Sequence, residues 1–166
     1  LCGYYGSRTF LFVGTILMKI IALQGKSNTG KTTTLKMLIR LFLENNKYNL
    51  NPKYVKRYVL NKCNSDTGDV KCVFEYNGKR IGITTRGDTE KALARDFKNH
   101  FYKCDIIVCA VHTHGKTVEF IKNIDDCAII HSKWFVLPEV EEKKEQLNSI
   151  QSDYLFKEVL GIFEVS

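Results

Sequence analysis

The chain alternates short apolar runs with longer amphipathic stretches. Ile16–Leu23 is apolar except at Lys19, which suits a strand buried on both faces of a parallel sheet. Over Lys31–Glu44 the residues Leu35, Leu38, Ile39 and Phe42 recur at helical spacing, predicting an amphipathic helix that polar Asn45–Asn51 and Pro52 bring to a close. Residues 53–69 are basic and rich in tyrosine and fit either a strand or a loop. Val70–Tyr76 and Arg80–Thr85 flank Asn77-Gly78, a pair that tolerates the positive φ required by a type I′ hairpin turn. Asp88–Lys103 reads as a helix, because Leu93, Phe97 and Phe101 lie four residues apart. Asp105–Val111 reads as a buried strand, Lys116–Ile124 as a short helix and Cys127–Leu137 as a strand ended by Pro138. Glu139–Phe163 reads as a C-terminal helical region in which Ser152-Asp153 marks a candidate break. Strands alternating with helices predict an α/β sandwich with a mainly parallel sheet, to which the hairpin adds an antiparallel edge.

Composition narrows the class without choosing a function. With 166 residues, 44% hydrophobic and 26% charged, the chain has the make-up of one globular domain with a sizeable core, which excludes a disordered tail, a collagen and a coiled coil. A formal charge of +7 favours anionic partners: nucleotides, nucleic acid or an acidic surface. The six cysteines contain no C-x-x-C pair, which argues against a zinc knuckle and a thioredoxin site. Cys72, Cys104, Cys109 and Cys127 lie in or beside apolar runs, as small core residues do. Reduced thiols in a cytoplasmic protein are the expectation, with a Cys63–Cys72 disulfide as the alternative. The apolar run Thr9–Met18 is too short to span a bilayer and only faintly resembles a signal peptide. Met18 is the expected functional start, with residues 1–17 a mispredicted extension or a loose arm before a nucleotide-binding domain of residues 18–166 that makes no stable membrane insertion.

The motif that carries chemistry is Gly25-Lys26-Ser27-Asn28-Thr29-Gly30-Lys31-Thr32, a full match to G-x-x-x-x-G-K-[ST] between a buried strand and an apolar-periodic helix. Gly25 and Gly30 let the backbone curl so that several N–H groups point at one phosphate, and the helix start adds a partial positive charge. Lys31 reaches the β- and γ-phosphates, the Thr32 hydroxyl is placed for Mg²⁺, and Thr33 suits an α-phosphate oxygen. On these residues the chain resembles the P-loop nucleoside triphosphate hydrolase superfamily. The resemblance implies a three-layer α/β/α fold and binding of a nucleoside triphosphate, with ATP and Mg²⁺ as the expected ligands. Lys26 stands where the deviant Walker proteins, with G-K-G-G-x-G-K-T, carry a lysine that contacts nucleotide across a dimer. Here Ser27-Asn28 replaces Gly-Gly, and an exposed lysine that adds positive charge is the other reading.

Phosphoryl transfer also needs an acid near the metal. Thr84 and Thr85 follow the apolar run of the Arg80–Thr85 strand, and Asp88 comes a little later. Asp88 is therefore a candidate for a catalytic role and for holding the metal through water, and equally for capping the following helix. Arg86 suits a γ-phosphate, an acceptor or plain solvent. His112-Thr113-His114-Gly115-Lys116-Thr117, after the Asp105–Val111 strand, is a candidate sensor or substrate loop, because strand carboxyl ends face the ligand in such sheets. Cys109, His112 and His114 also raise a metal site, against which Cys109 falls on the opposite strand face from His112. Asn61-Lys62-Cys63-Asn64 lacks the aspartate of a guanine-specific motif, which disfavours GTP. Lys47–Lys62 interleaves Tyr48, Tyr54 and Tyr58 with basic residues, a pattern shared by single-stranded nucleic-acid grips, phosphate lids and solvated edges. Three functions stay open: an ATPase acting on a protein partner, a small-molecule or nucleotide kinase, and a non-catalytic nucleotide-dependent binding module that touches nucleic acid.

Overall fold

A computed structural model of the chain describes residues 18–45, 68–125, 130–136 and 144–164. The strands are β1 (Met18–Gln24), β2 (Lys71–Tyr76), β3 (Lys79–Thr84), β4 (Ile106–Val111) and β5 (Ile130–Val136). They form one open sheet in the order β2-β3-β4-β1-β5. β1 pairs in parallel with both β4 and β5, β3 pairs in parallel with β4, and β2 closes the edge antiparallel to β3. The helices are α1 (Lys31–Asn45), α2 (Glu90–Asp96), α3 (Lys116–Asp125) and α4 (Lys144–Glu164), and α2 runs into a π-helical turn over Phe97–Phe101. The predicted mixed α/β fold with a mainly parallel sheet and a hairpin edge is thus observed. The segment 46–67, with Cys63 and the basic tyrosine stretch, lies outside the described residues, as do residues 1–17.

The two-residue period of the strands divides the core. Ile21 and Leu23 of β1, Val108 and Ala110 of β4, and Ile81 and Ile83 of β3 face one side, where they pack with Leu35, Leu38, Ile39 and Phe42 of α1 and Leu155 and Val159 of α4. Ile20 and Ala22 of β1 and Ile107, Cys109 and Val111 of β4 face the other, with Leu93 of α2, Phe101, and Phe120 and Ile121 of α3. Each central strand is therefore covered on both sides, which is why β1 and β4 are apolar without a polar face.

Three local features differ from the sequence expectation. The helix expected over Asp88–Lys103 is α-helical only to Asp96 and then widens into the π turn. Asp96 and Phe101 are both fully buried, and they stand five residues apart, a spacing that an i→i+5 turn brings closer to one side than an α-helix does. Second, α4 shows no break at Ser152-Asp153. The Ser152 hydroxyl donates to the Ser149 carbonyl at 2.8 Å, so its polarity is satisfied within the helix. Third, the cap of α2 is Thr89, whose hydroxyl accepts from the Ala92 N–H at 3.2 Å; Asp88 is released from that role. In the hairpin, Asn77 and Gly78 both adopt positive φ, 49° and 73°, as the turn requires. No helix among the described residues is long and apolar enough to cross a membrane.

Gly82 is the position of β3 that lies against Phe101 of the π turn. A Cβ there would stand 2.6 Å from the Phe101 ring and 3.1 Å from Cys104 Sγ. Phe101 is fully buried, so its ring would have to shift within the core to admit a methyl group. Gly82→Ala is therefore expected to destabilise the fold by about 1–3 kcal/mol in urea unfolding. Burial also pushes the Cys104 thiol up to about 11 and the Cys109 thiol to about 12. Site-resolved alkylation with iodoacetamide at pH 8 should leave both unmodified until the chain unfolds, since the thiolate is the reacting form.

Candidate functional site

The site forms where two neighbouring strands send their chains to opposite faces of the sheet. β1 leads into α1 on one face and β4 leads into α3 on the other, so the loops after β1 and β4 diverge and leave a crevice at the strand carboxyl ends. Two hydrogen bonds hold the crevice walls together. The Gly25 N–H donates to the Val111 carbonyl at 3.3 Å, and Gln24 Nε2 donates to the Thr113 carbonyl at 2.9 Å.

The β1 wall is the glycine-rich turn. Asn28 and Gly30 take positive φ, 62° and 90°, so the turn departs from the allowed space of most side chains at both positions. Thr29 Oγ1 donates to the Lys26 carbonyl at 2.9 Å, closing the turn on itself. Lys31, the first residue of α1, is buried, and its ammonium donates to the carbonyls of Gly25 at 2.7 Å and Lys26 at 2.5 Å. The loop is thus wrapped around one cation. Burial holds the Lys31 ammonium below its ordinary value, and the Asp88 carboxylate pulls it part of the way back. Gly25 is buried with Lys31, Thr29, Gly30 and Thr32 are half-buried, and Lys26, Ser27, Asn28 and Thr33 are exposed.

Asp88 reaches this wall although β3 is not adjacent to β1. Gly87 lies directly against the Ala110 backbone, where any Cβ would overlap it, so the loop after β3 crosses over the end of β4. The crossing delivers Asp88, an exposed carboxylate, to within 3.7 Å of His112 Nε2 and close enough for its charge to act on Lys31. Beside it opens a cleft of about 300 Å³ lined by Asp88, Thr89, Glu90, His112, His114, Lys116 and Thr117. The Thr117 hydroxyl accepts from the His112 N–H at 3.3 Å, which ties the far wall to α3. The metal alternative at Cys109, His112 and His114 does not assemble. Cys109 is fully buried in the core, and no three His, Cys, Asp or Glu side chains gather for a metal among the described residues.

Compared with protein-family models, curated proteins and solved structures, the chain matches none.

Sequence reasoning missed two residues of this site. Asp96 is fully buried near the end of β3, where it accepts from Thr84 Oγ1 at 2.9 Å and pairs with Lys71 at 3.4 Å and Arg86 at 3.8 Å. Asp96, from α2, places a carboxylate beside the end of β3 and pairs there with Arg86. The second is Asn148 of α4, which accepts from Thr34 Oγ1 at 3.3 Å and fills the space where Gly30 would carry a Cβ. Neither shows a motif: Asp96 looks like one more polar residue of an amphipathic helix, and Asn148 acts from an element distant in sequence.

Asp96→Ala leaves Lys71, Arg86 and the buried Thr84 hydroxyl without their shared acceptor. Both cations are about a third exposed, so water offsets part of the loss. A decrease of about 1–3 kcal/mol in urea unfolding is expected, with a smaller one for Asp96→Asn, which keeps an acceptor oxygen.

Proposed function

We propose that the chain is a P-loop protein that binds ATP with Mg²⁺ at residues 25–33 and transfers the γ-phosphoryl group, with water as the default acceptor. The observation that carries this reading is the buried Lys31 ammonium, wrapped by the Gly25 and Lys26 carbonyls at the point where the sheet's connections diverge. A cation held there by backbone oxygens has no structural counter-ion in the loop and is placed to exchange those oxygens for phosphate. The three-layer α/β/α arrangement supports the same reading, and the buried cysteines are in keeping with a reducing cytoplasmic setting.

The loop amides and the start of α1 bind the phosphates, and Lys31 neutralises charge on the β- and γ-oxygens. The Thr32 hydroxyl and Asp88 are the residues that would hold Mg²⁺, Asp88 through water. Their donor set suits this ion, because magnesium commonly binds through one or two protein oxygens and substrate phosphates and keeps several waters. When bound, the metal supplies charge neutralisation across the β- and γ-phosphates. Lys26, Ser27, Asn28 and Thr29 would supply turn backbone around the phosphates, and Thr33 would serve the α-phosphate. The cleft beside Asp88 favours a second reading, a kinase whose small acceptor enters between His112, His114 and Glu90.

Calorimetry should show Mg-ATP binding by the parent and a loss of about 10- to 100-fold for Lys31→Ala, the range of a charge-assisted hydrogen bond. Equal affinity in both proteins, or none in either, would overturn the nucleotide assignment. Asp88→Asn is expected to retain binding while phosphate release falls about 10- to 100-fold, the range for losing an outer-shell partner of a metal. Unchanged Mg²⁺-dependent turnover would remove Asp88 from the site.

A further inference from the structure

We infer that Asn148 is a positioning residue for the phosphate loop, and that nucleotide binding and docking of α4 are therefore coupled; the inference rests on the nucleotide reading above. α1 and α4 run side by side in the same direction: Asn148 meets Thr34, and two turns further along both helices Phe156 meets Phe42, with ring centroids 4.7 Å apart. Both helix starts therefore point to the crevice end of the sheet. The contact at that end is polar and buried, whereas further along the helices Leu35, Leu38, Ile39 and Phe42 of α1 and Leu155 and Val159 of α4 join one apolar cluster.

Asn148 is 6% exposed and Thr34 fully buried. The Thr34 N–H donates to the Gly30 carbonyl at 2.8 Å, and its hydroxyl donates to Asn148 Oδ1 at 3.3 Å. The carboxamide itself occupies the place beside Gly30 that a side chain would take. Gly30, at φ +90°, is the last residue of the turn before Lys31. The loop conformation that presents amides to phosphate is thus braced from behind by one side chain of the C-terminal helix. Anything that shifts α4 releases Gly30 from that brace. By linkage, a ligand that stiffens the loop must tighten the docking of α4 by the same factor.

Mg-ADP serves as the probe, measured by calorimetry and by hydrogen exchange. Asn148→Ala should raise the Kd for Mg-ADP about tenfold, as should Thr34→Val, which removes the hydroxyl and keeps the shape; Thr34→Ser should retain parental affinity. In the parent, Mg-ADP should slow exchange in both residues 25–34 and the first two turns of α4. In Asn148→Ala, the protection of α4 should disappear while that of the loop persists at saturating ligand. A folded Asn148→Ala that melts earlier but binds Mg-ADP as the parent does would assign Asn148 a purely structural role and overturn the inference. So would ligand protection confined to residues 25–34 in the parent. If Asn148→Ala fails to fold, Thr34→Val decides by the same criteria. A parent that binds neither Mg-ADP nor Mg-ATP overturns the nucleotide reading itself, whereas parental binding with unchanged affinity in the variants overturns only this coupling.

Discussion

The parallel pairing of β1 with β4 is the constraint on which the site depends. It places two strand ends side by side, and the switch of the following helices to opposite faces forces their loops apart. The Gly25–Val111 and Gln24–Thr113 hydrogen bonds keep the gap narrow at its base. The glycine-rich turn, the 112–117 loop and the crossing 85–88 loop then meet over one small region. Without that register the same residues would be three unconnected turns.

Two layers of support stand behind the loop, and they differ in kind. Apolar packing of α1 and α4 on the sheet supplies most of the burial, with Phe42 at the junction of Phe74, Tyr76 and Phe156. Polar contacts supply direction. Asp96 bonds Thr84 and pairs with Lys71 and Arg86 at the end of β3, and Asn148 fills the space beside Gly30. Buried polar contacts of this sort add little net stability, yet leaving one half-satisfied is expensive, so they hold one arrangement against its neighbours.

Elements with a strong period were legible along the chain. β1, α1, the hairpin, β4 and α3 appear within about two residues of their expected ends, because each has an apolar pattern that only one backbone geometry can bury. The α2 segment was legible as helix but not as a π turn, since the spacing of Phe97 and Phe101 does not reveal the need to bury Asp96 as well. Asp88 was singled out as a possible cap as well as an acid. Thr89 takes the cap, and the close passage of Gly87 over Ala110 carries the carboxylate to the crevice.

By itself the sequence determined the strand–turn–helix unit at 18–45, the wrapped lysine's position within it and the hairpin turn at Asn77-Gly78. Each of these follows from local sterics and short-range hydrogen bonding, which neighbouring residues carry in full. Only the tertiary structure decided which strand lies between β3 and β1, how Asp88 comes near Lys31, and that Asn148 packs behind the glycine-rich turn. Those are contacts between residues far apart in the chain, where the sheet order chooses the partners and no local pattern records the choice.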